Sequence, residues 1–417
     1  MITDKGLLEF DKILTSLRKY AVSDLAKQAI TELSPIDNQE IIETWLLEAM
    51  QAKTMIERYD ETPMTGVLNV KEALTRSRIG ATLSIEELLR IVSLVEAEGR
   101  NVAYIKKVRQ LEIPDSALAH YYDELSTHPK LKQQISACIN DKGQIYDDAS
   151  PKLATVRKKI HIQEKRIEDK MNGLLHSEAT KLTDSLITIR NNRLVLPVKS
   201  EYKNQFKGIV HDMSASKETV FIEPMICVEL NNGLQGLQFE EQEAIEEILQ
   251  ELSSAVGEVA DELLSNFSIL TTLDTIFAKA KYAIAEELHA PVITKNEISL
   301  LRARHPLIPR GQVVANDIRF FDYRTIVITG PNTGGKTVAL KTLGLLSTML
   351  QSGIPIPVAE GSKTTIFANI FADIGDEQSI EQSLSTFSSH ITKIITILRQ
   401  LTPHSLVLLD ELGSGTD

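Results

Sequence analysis

Gly330, Gly335, Lys336 and Thr337 stand at the spacing G-x-x-x-x-G-K-[ST], inside the stretch "GPNTGGKTVAL". Glycines at 330, 334 and 335 let successive backbone N–H groups converge on phosphate oxygens with no Cβ in the way. Lys336 offers a point charge to β- and γ-phosphates, and the Thr337 hydroxyl a ligand to Mg²⁺. Pro331, Asn332, Thr333 and Gly334 fill the turn, and Val338 follows it. The apolar run at 325–328 reads as a buried strand of a parallel sheet. A helical pattern over 337–349 then places any bound anion at a helix N-terminus. A chance glycine-rich turn is the plain alternative, and the complete spacing between strand and helix argues against it. The chemistry indicated is binding of ATP with Mg²⁺.

A second acidic position supports this. Residues 405–410, "SLVLLD", read as a buried strand ending in an acid, with Glu411 next. In nucleotide chemistry Asp410 would hold Mg²⁺, partly through water, and Glu411 would orient or deprotonate the attacking water. Two neighbouring carboxylates can be mere surface charge, but the run before them points inward.

The elements that must position these groups extend over a long chain. At 417 residues it should hold two or three domains, taking ~150 residues for each. With 42% apolar and 24% charged residues it is globular rather than disordered. A net charge of −12 argues against a protein that coats polyanions all over, and leaves local basic patches open. Cys138 and Cys227 sit in apolar sequence without metal-ligand spacing, as in a reduced, cytoplasmic protein. The N-terminus carries acids and a helical period rather than a signal peptide. No apolar run approaches the ~20 residues of a membrane span.

The expected architecture is multidomain, α plus α/β. Residues 1–150 read as a helical core: Leu7, Leu8, Phe10, Ile13, Leu14 and Leu17 recur at helical intervals, and Ser84 to Glu87 forms a capping box. Trp45 reads as core. Residues 151–185 read as an outgoing lever helix, with Leu153, Ile160, Ile167 and Leu174 every seven residues, Val156 between, and basic residues around them. Residues 226–295 hold the return helix, expected from about Gln238 to Phe267, and the rest of the core. Its outer positions are acidic, so the two helices suit an antiparallel coiled-coil hairpin. Between them, 186–225 alternates apolar and polar residues around turn signals and reads as a small β clamp at the tip. From Arg190 to Lys207 five basic residues, Arg190, Arg193, Lys199, Lys203 and Lys207, stand against one acid, Glu201. Such a cluster either grips phosphate backbone without reading sequence or merely solubilises a small sheet. Residues 296–417 form the nucleotide domain.

The run "ARHPLI", Asn332 within "GPNTGGKT", "SLSTFSSHI" and "LLDELGSGTD", in this order after helices and arms, resemble the MutS family. The layout, with no amino-terminal mismatch-reading and connector domains, is that of its bacterial MutS-two branch, and the resemblance covers essentially the whole chain. It implies a P-loop ATPase of the ABC class working as a homodimer, with two composite sites across a head-to-head interface. Ser385 then matches the signature-loop serine that reaches the γ-phosphate of the other subunit; read from its sequence alone it is equally a helix N-cap. Gln378 matches the residue linking Mg²⁺ and water to the rest of the molecule, and 413–417 the loop crossing the interface. The expected departure is at the end: the strands after Glu411 and the family's carboxy-terminal Smr module, which bears its endonuclease activity, are not in this sequence.

The resemblance implies either binding of branched DNA, suppressing recombination, or binding of collided ribosomes and their rRNA, splitting them. A structural ABC ATPase of the chromosome-maintenance type would carry much longer arms with a hinge at the tip. A metabolic P-loop kinase would need a substrate lid and has no use for a heptad hairpin.

Overall fold

Apolar residues at helical spacing build the first elements of the chain in a computed structural model, which describes residues 5–59, 62–64, 67–191, 193–320, 324–330, 335–374 and 383–410. Helices α1 (Phe10–Arg18), α2 (Asp24–Thr31), α3 (Gln39–Tyr59), α4 (Lys71–Arg78), α5 (Ile85–Gln110), α6 (Ala119–Asp123) and α7 (Pro129–Cys138) come first. Then come α8 (Pro151–Ser177), strands β1 (Thr188–Arg190), β2 (Arg193–Lys199), β3 (Gly208–Met213) and β4 (Thr219–Pro224), and helices α9 (Met225–Glu258) and α10 (Ala260–Glu286). The last part holds β5 (Val292–Ile293), β6 (Ile298–Ala303), β7 (Asn316–Phe320), α11 (Lys336–Gln351), β8 (Lys363–Thr364), β9 (Asn369–Asp373), α12 (Ser383–Gln400) and β10 (Ser405–Leu409). The chain forms two compact units, one of Met1–Glu72, Ser93–Pro129 and Asp261–Asp417, the other of Ala73–Val92 and Lys130–Ala260.

In the second unit α8 and α9 lie antiparallel. Lys152 pairs with Glu247 and Arg157 with Glu241, both at 2.7 Å, and Gln163 donates to the Leu230 carbonyl at 2.9 Å. The basic helix therefore meets the acidic one, as the charge pattern predicts. Leu153, Val156, Ile167 and Met171 are buried, while Ile160 and Leu174 are half-buried. Met171 escapes a strict seven-residue count because it lies one helical turn from Ile167, on the same face.

The return helix differs from expectation at both ends. It starts at Met225, not near Gln238, and stops at Glu258, where Val259 (φ −115°, ψ 13°) leaves helical geometry before α10. The polar stretch 231–236 reads weakly as helix, but Asn231, Asn232 and Gln235 all hydrogen-bond to Glu223 or Arg193 of the neighbouring sheet, so tertiary contacts override local propensity. That sheet is antiparallel with order β1-β2-β4-β3, and closes over Leu196, Val198, Val220 and Ile222 against Ile167 and Cys227. The capping box is present: Ser84 N–H donates to Glu87 Oε2 at 2.9 Å, and Glu87 N–H to Ser84 Oγ at 3.3 Å.

In the first unit one core runs from Leu8, Phe10, Ile13 and Leu17 through Ala278 to Leu345, Met349, Ile370 and Leu408. Strands β9 and β10 pair in parallel, and β5-β8-β6-β7 form a separate mixed sheet. Trp45, expected in the core, is only half-buried. Lys279 on α10 is buried beneath it, its Nζ 5.4 Å from the ring centroid and donating to the Ser352 carbonyl at 3.3 Å. Burial pulls this amine from 10.5 down to about 8, with Glu48 pulling weakly the other way.

This shift has a sign in stability. Between about pH 8 and 10.5 the unfolded chain holds the Lys279 proton and the folded chain does not, so stability should rise with pH through that window. At neutral pH the buried cation costs on the order of 3 kcal/mol. Tyr121, pushed up to about 12 by burial and Glu48, acts in the opposite sense above pH 10. Urea midpoints should therefore climb from pH 8 to 10, and Lys279→Met should be more stable at pH 7 and lose the climb. The same pH profile in Lys279→Met as in the unmodified chain would show that Lys279 is hydrated, since the Cys138 and Cys227 thiols, pushed up by burial, oppose the climb equally in both.

Candidate functional site

The phosphate-loop helix α11 is entered through Gly335, whose φ of 79° suits a residue without Cβ. Its first turn lies at the surface, and its residues from Thr342 to Gln351 are all buried. Two features fix its course. A Cβ on Gly344 would fall 2.6 Å from both Leu408 and Leu8, so β10 and the N-terminal segment approach the helix closely there. Gln351, fully buried, donates to the carbonyls of Ile36 and Phe367 at 2.8 and 2.9 Å and accepts from Phe367 N–H at 3.0 Å.

That anchoring brings two predicted metal ligands together. The Thr337 hydroxyl donates to Asp410 Oδ2 at 2.5 Å, across 73 residues of sequence. Lys336 Nζ donates to the Gly330 carbonyl at 2.9 Å, so the amine folds back over the start of the loop. Asp410 follows β10 directly, and its N–H donates to the Asp373 carbonyl at 3.0 Å, which ties it to the end of β9. Asp373, which the sequence reading does not single out, is buried and pairs with Lys393 of α12 at 3.7 Å. A signal for it is present: an acid closing an apolar run, as at Asp410.

A hydroxyl, a carboxylate, an amine and the N-terminus of a sixteen-residue helix meet at one place. This donor set fits a nucleotide with Mg²⁺: the hydroxyl and carboxylate are hard oxygen ligands, and the amine and the first N–H groups of the helix suit phosphate. Val338 lies exposed beside them. Pro331, Asn332, Thr333, Gly334, Gln378, Glu411 and 413–417 lie outside the described residues. The backbone of Ser385 lies within α12 (Ser383–Gln400) and not at a cap position.

One expectation fails. Among the described residues 325–328 join no ladder, and Ile326, Val327 and Ile328 are 43%, 80% and 46% exposed. A strand needs a neighbour to take its N–H and C=O groups, and among the described residues β9 and β10 pair only with each other.

At the β sheet of the second unit the five basic residues separate. Arg193 donates to Glu223 at 3.2 Å, Asn232 at 2.7 Å and Gln235 at 2.8 Å. Glu223, 1% exposed, also binds Asn231 at 2.7 Å and His211 at 2.6 Å. Arg190 stacks over Phe221 at 4.2 Å and pairs with Asp212 at 3.3 Å. Lys199 donates to the Thr180 carbonyl at 2.9 Å. Lys203 and Lys207 are exposed. The Glu223 hub, joining β2, β3, β4 and α9, escapes sequence reasoning because nothing in spacing marks it.

Among the described residues no helix is long and apolar enough to cross a membrane. The family model for MutS domain V matches residues 326–417. Endonuclease MutS2 of Geobacillus sp. (strain WCH70) is 46% identical over 99% of this chain and 53% of its own length. Endonuclease MutS2 of Bacillus velezensis is 43% identical, and putative endonuclease MutS2 of Bacillus subtilis (strain 168) 44%, each over 98% of this chain and 53% of the relative. The chain thus spans about half the length of the curated relatives it matches.

Proposed function

Because the chain belongs to the MutS family, we propose that it acts as an ATP-dependent dimeric clamp on nucleic acid or on a nucleic-acid machine, its arms and β tip answering to the nucleotide. The observation that carries this reading is the Thr337 hydroxyl on the Asp410 carboxylate at the start of α11. In it, Gly335 and the first N–H groups of α11 bind phosphate, and Lys336 swings from the Gly330 carbonyl onto the β- and γ-phosphates. Thr337 and Asp410 hold Mg²⁺, which when bound neutralises charge on the phosphates. Glu411 holds the attacking water and receives its proton. Ser385 of one subunit reaches the γ-phosphate held by its partner, and Gln378 links that site to the rest of the chain.

The domain division read from the sequence serves the same reading: core at 1–150, lever at 151–185, clamp at 186–225, return at 226–295 and ATPase at 296–417, with α8 and α9 as a coiled coil. The antiparallel pairing of α8 with α9 supports the lever, and the sheet with two exposed lysines supports the clamp. The relatives are named endonucleases, and we place nuclease activity in the family's Smr module rather than at the nucleotide site.

Branched DNA and collided ribosomes remain the two candidate targets. Sedimentation of the chain with ribosomes, beside gel shifts on four-way junctions, tests the reading with and without a non-hydrolysable ATP analogue. Retention on one target only when the analogue is present is the expected result. Binding to neither, or equal binding with no nucleotide, would sink the clamp.

A further inference from the structure

The far end of α11 carries a second arrangement that the phosphate chemistry does not use. Gly353, just past the helix, has φ of 66° and packs against Trp45, whose Cβ lies 2.6 Å from where a Cβ on residue 353 would sit. Lys279 reaches in from α10 beneath the same indole and donates to the Ser352 carbonyl at 3.3 Å. Glu48, on α3 with Trp45, faces this amine, and Tyr121 of α6 donates to Glu48 at 3.1 Å. Among the described residues those are the charged and titratable groups around it: Glu48 and Tyr121, with His120 next to Tyr121.

We infer that Lys279, seated under Trp45, is a positioning residue for the nucleotide site, holding the C-terminal end of α11 so that Lys336 and Thr337 keep their place at the other end. The inference rests on the nucleotide reading above. An α-helix of sixteen residues is about 24 Å long, and the buried half of α11 transmits displacement as a rod rather than bending. A cation at a helix C-terminus meets unpaired carbonyls and the negative end of the dipole. Packing alone does not account for it, because a buried ammonium weakens the fold where an apolar chain of similar length would not. Phosphate at the N-terminus and ammonium at the C-terminus load one helix from both ends.

Trp45 is the single tryptophan of the chain, so its emission reports this end of α11 without a label. ATP with Mg²⁺ should change that emission in the unmodified chain. Equilibrium dialysis, which counts bound ATP without reference to Trp45, should show binding weakened about fivefold in Lys279→Met, the loss of one hydrogen bond, although that variant melts higher at pH 7. Lys279→Gln, which keeps a donor for Ser352, should recover most of the affinity, and it tests the same contact should the methionine variant misfold. Affinity unchanged in both variants, or bound ATP with silent Trp45 emission, overturns this inference alone. No ATP bound by the unmodified chain overturns the nucleotide reading, and this inference with it.

Discussion

Lys336→Ala will lose ATP about 100-fold in affinity, because the charge-assisted contacts it makes to two phosphates are together worth ~3 kcal/mol. Glu411→Ala will behave differently. It leaves the cradle intact, so binding persists, while turnover falls by roughly 10²–10⁴ with loss of the group that handles the water. Asp410→Asn falls between them: the amide still accepts from Thr337 but no longer offers a carboxylate to Mg²⁺, so the gain in affinity on adding Mg²⁺ should vanish while metal-free binding stays. Dialysis and phosphate release, with and without Mg²⁺, separate the three. Equal loss of binding in Lys336→Ala and Glu411→Ala would remove the division of roles. If Ser385 works across a dimer, mixing Ser385→Ala with Lys336→Ala should restore one composite site and part of the turnover.

The second large effect lies at the β tip, where residues of like charge have unlike roles. Arg193→Gln leaves the Glu223 carboxylate, 1% exposed, without its cationic partner, and breaking such a pair costs roughly 3 kcal/mol or more. Asn231 and His211 remain as partners, so the sheet should loosen rather than vanish: amides of β2, β3 and β4 should exchange faster and proteases should cut there first. Lys203→Gln with Lys207→Gln should leave the melting temperature alone, since both side chains are exposed. If they contact phosphate, the double variant should flatten the salt dependence of binding DNA or rRNA by about 1.4 to 1.8, at 0.7–0.9 per contact. A slope that does not move would assign these lysines to solubility, and the nucleic-acid surface would have to be sought elsewhere. Rigid amides in Arg193→Gln would mean that Glu223 is satisfied without it.

What the sequence determined by itself was chemistry carried by local order. The glycine spacing, Lys336 and Thr337 are consecutive or nearly so, and a helix N-terminus follows directly from them; Asp410 is marked by the apolar run it closes. The capping box at Ser84 and the charge match between α8 and α9 are likewise local patterns, repeated at helical intervals. Tertiary structure decided everything that depends on which distant residues meet. It set Thr337 against Asp410, and it joined Arg193 to a buried glutamate while leaving Lys203 and Lys207 outside. It carried α9 back to Met225 through a stretch of weak helix formers, because sheet contacts offset what propensity lacks. It left 325–328 exposed, since apolar residues specify burial only where a neighbouring strand arrives. It also put Lys279 beneath Trp45, 234 positions apart in the chain. Periodicity encodes which face of an element turns inward; the partner on that face is chosen by packing over the whole fold.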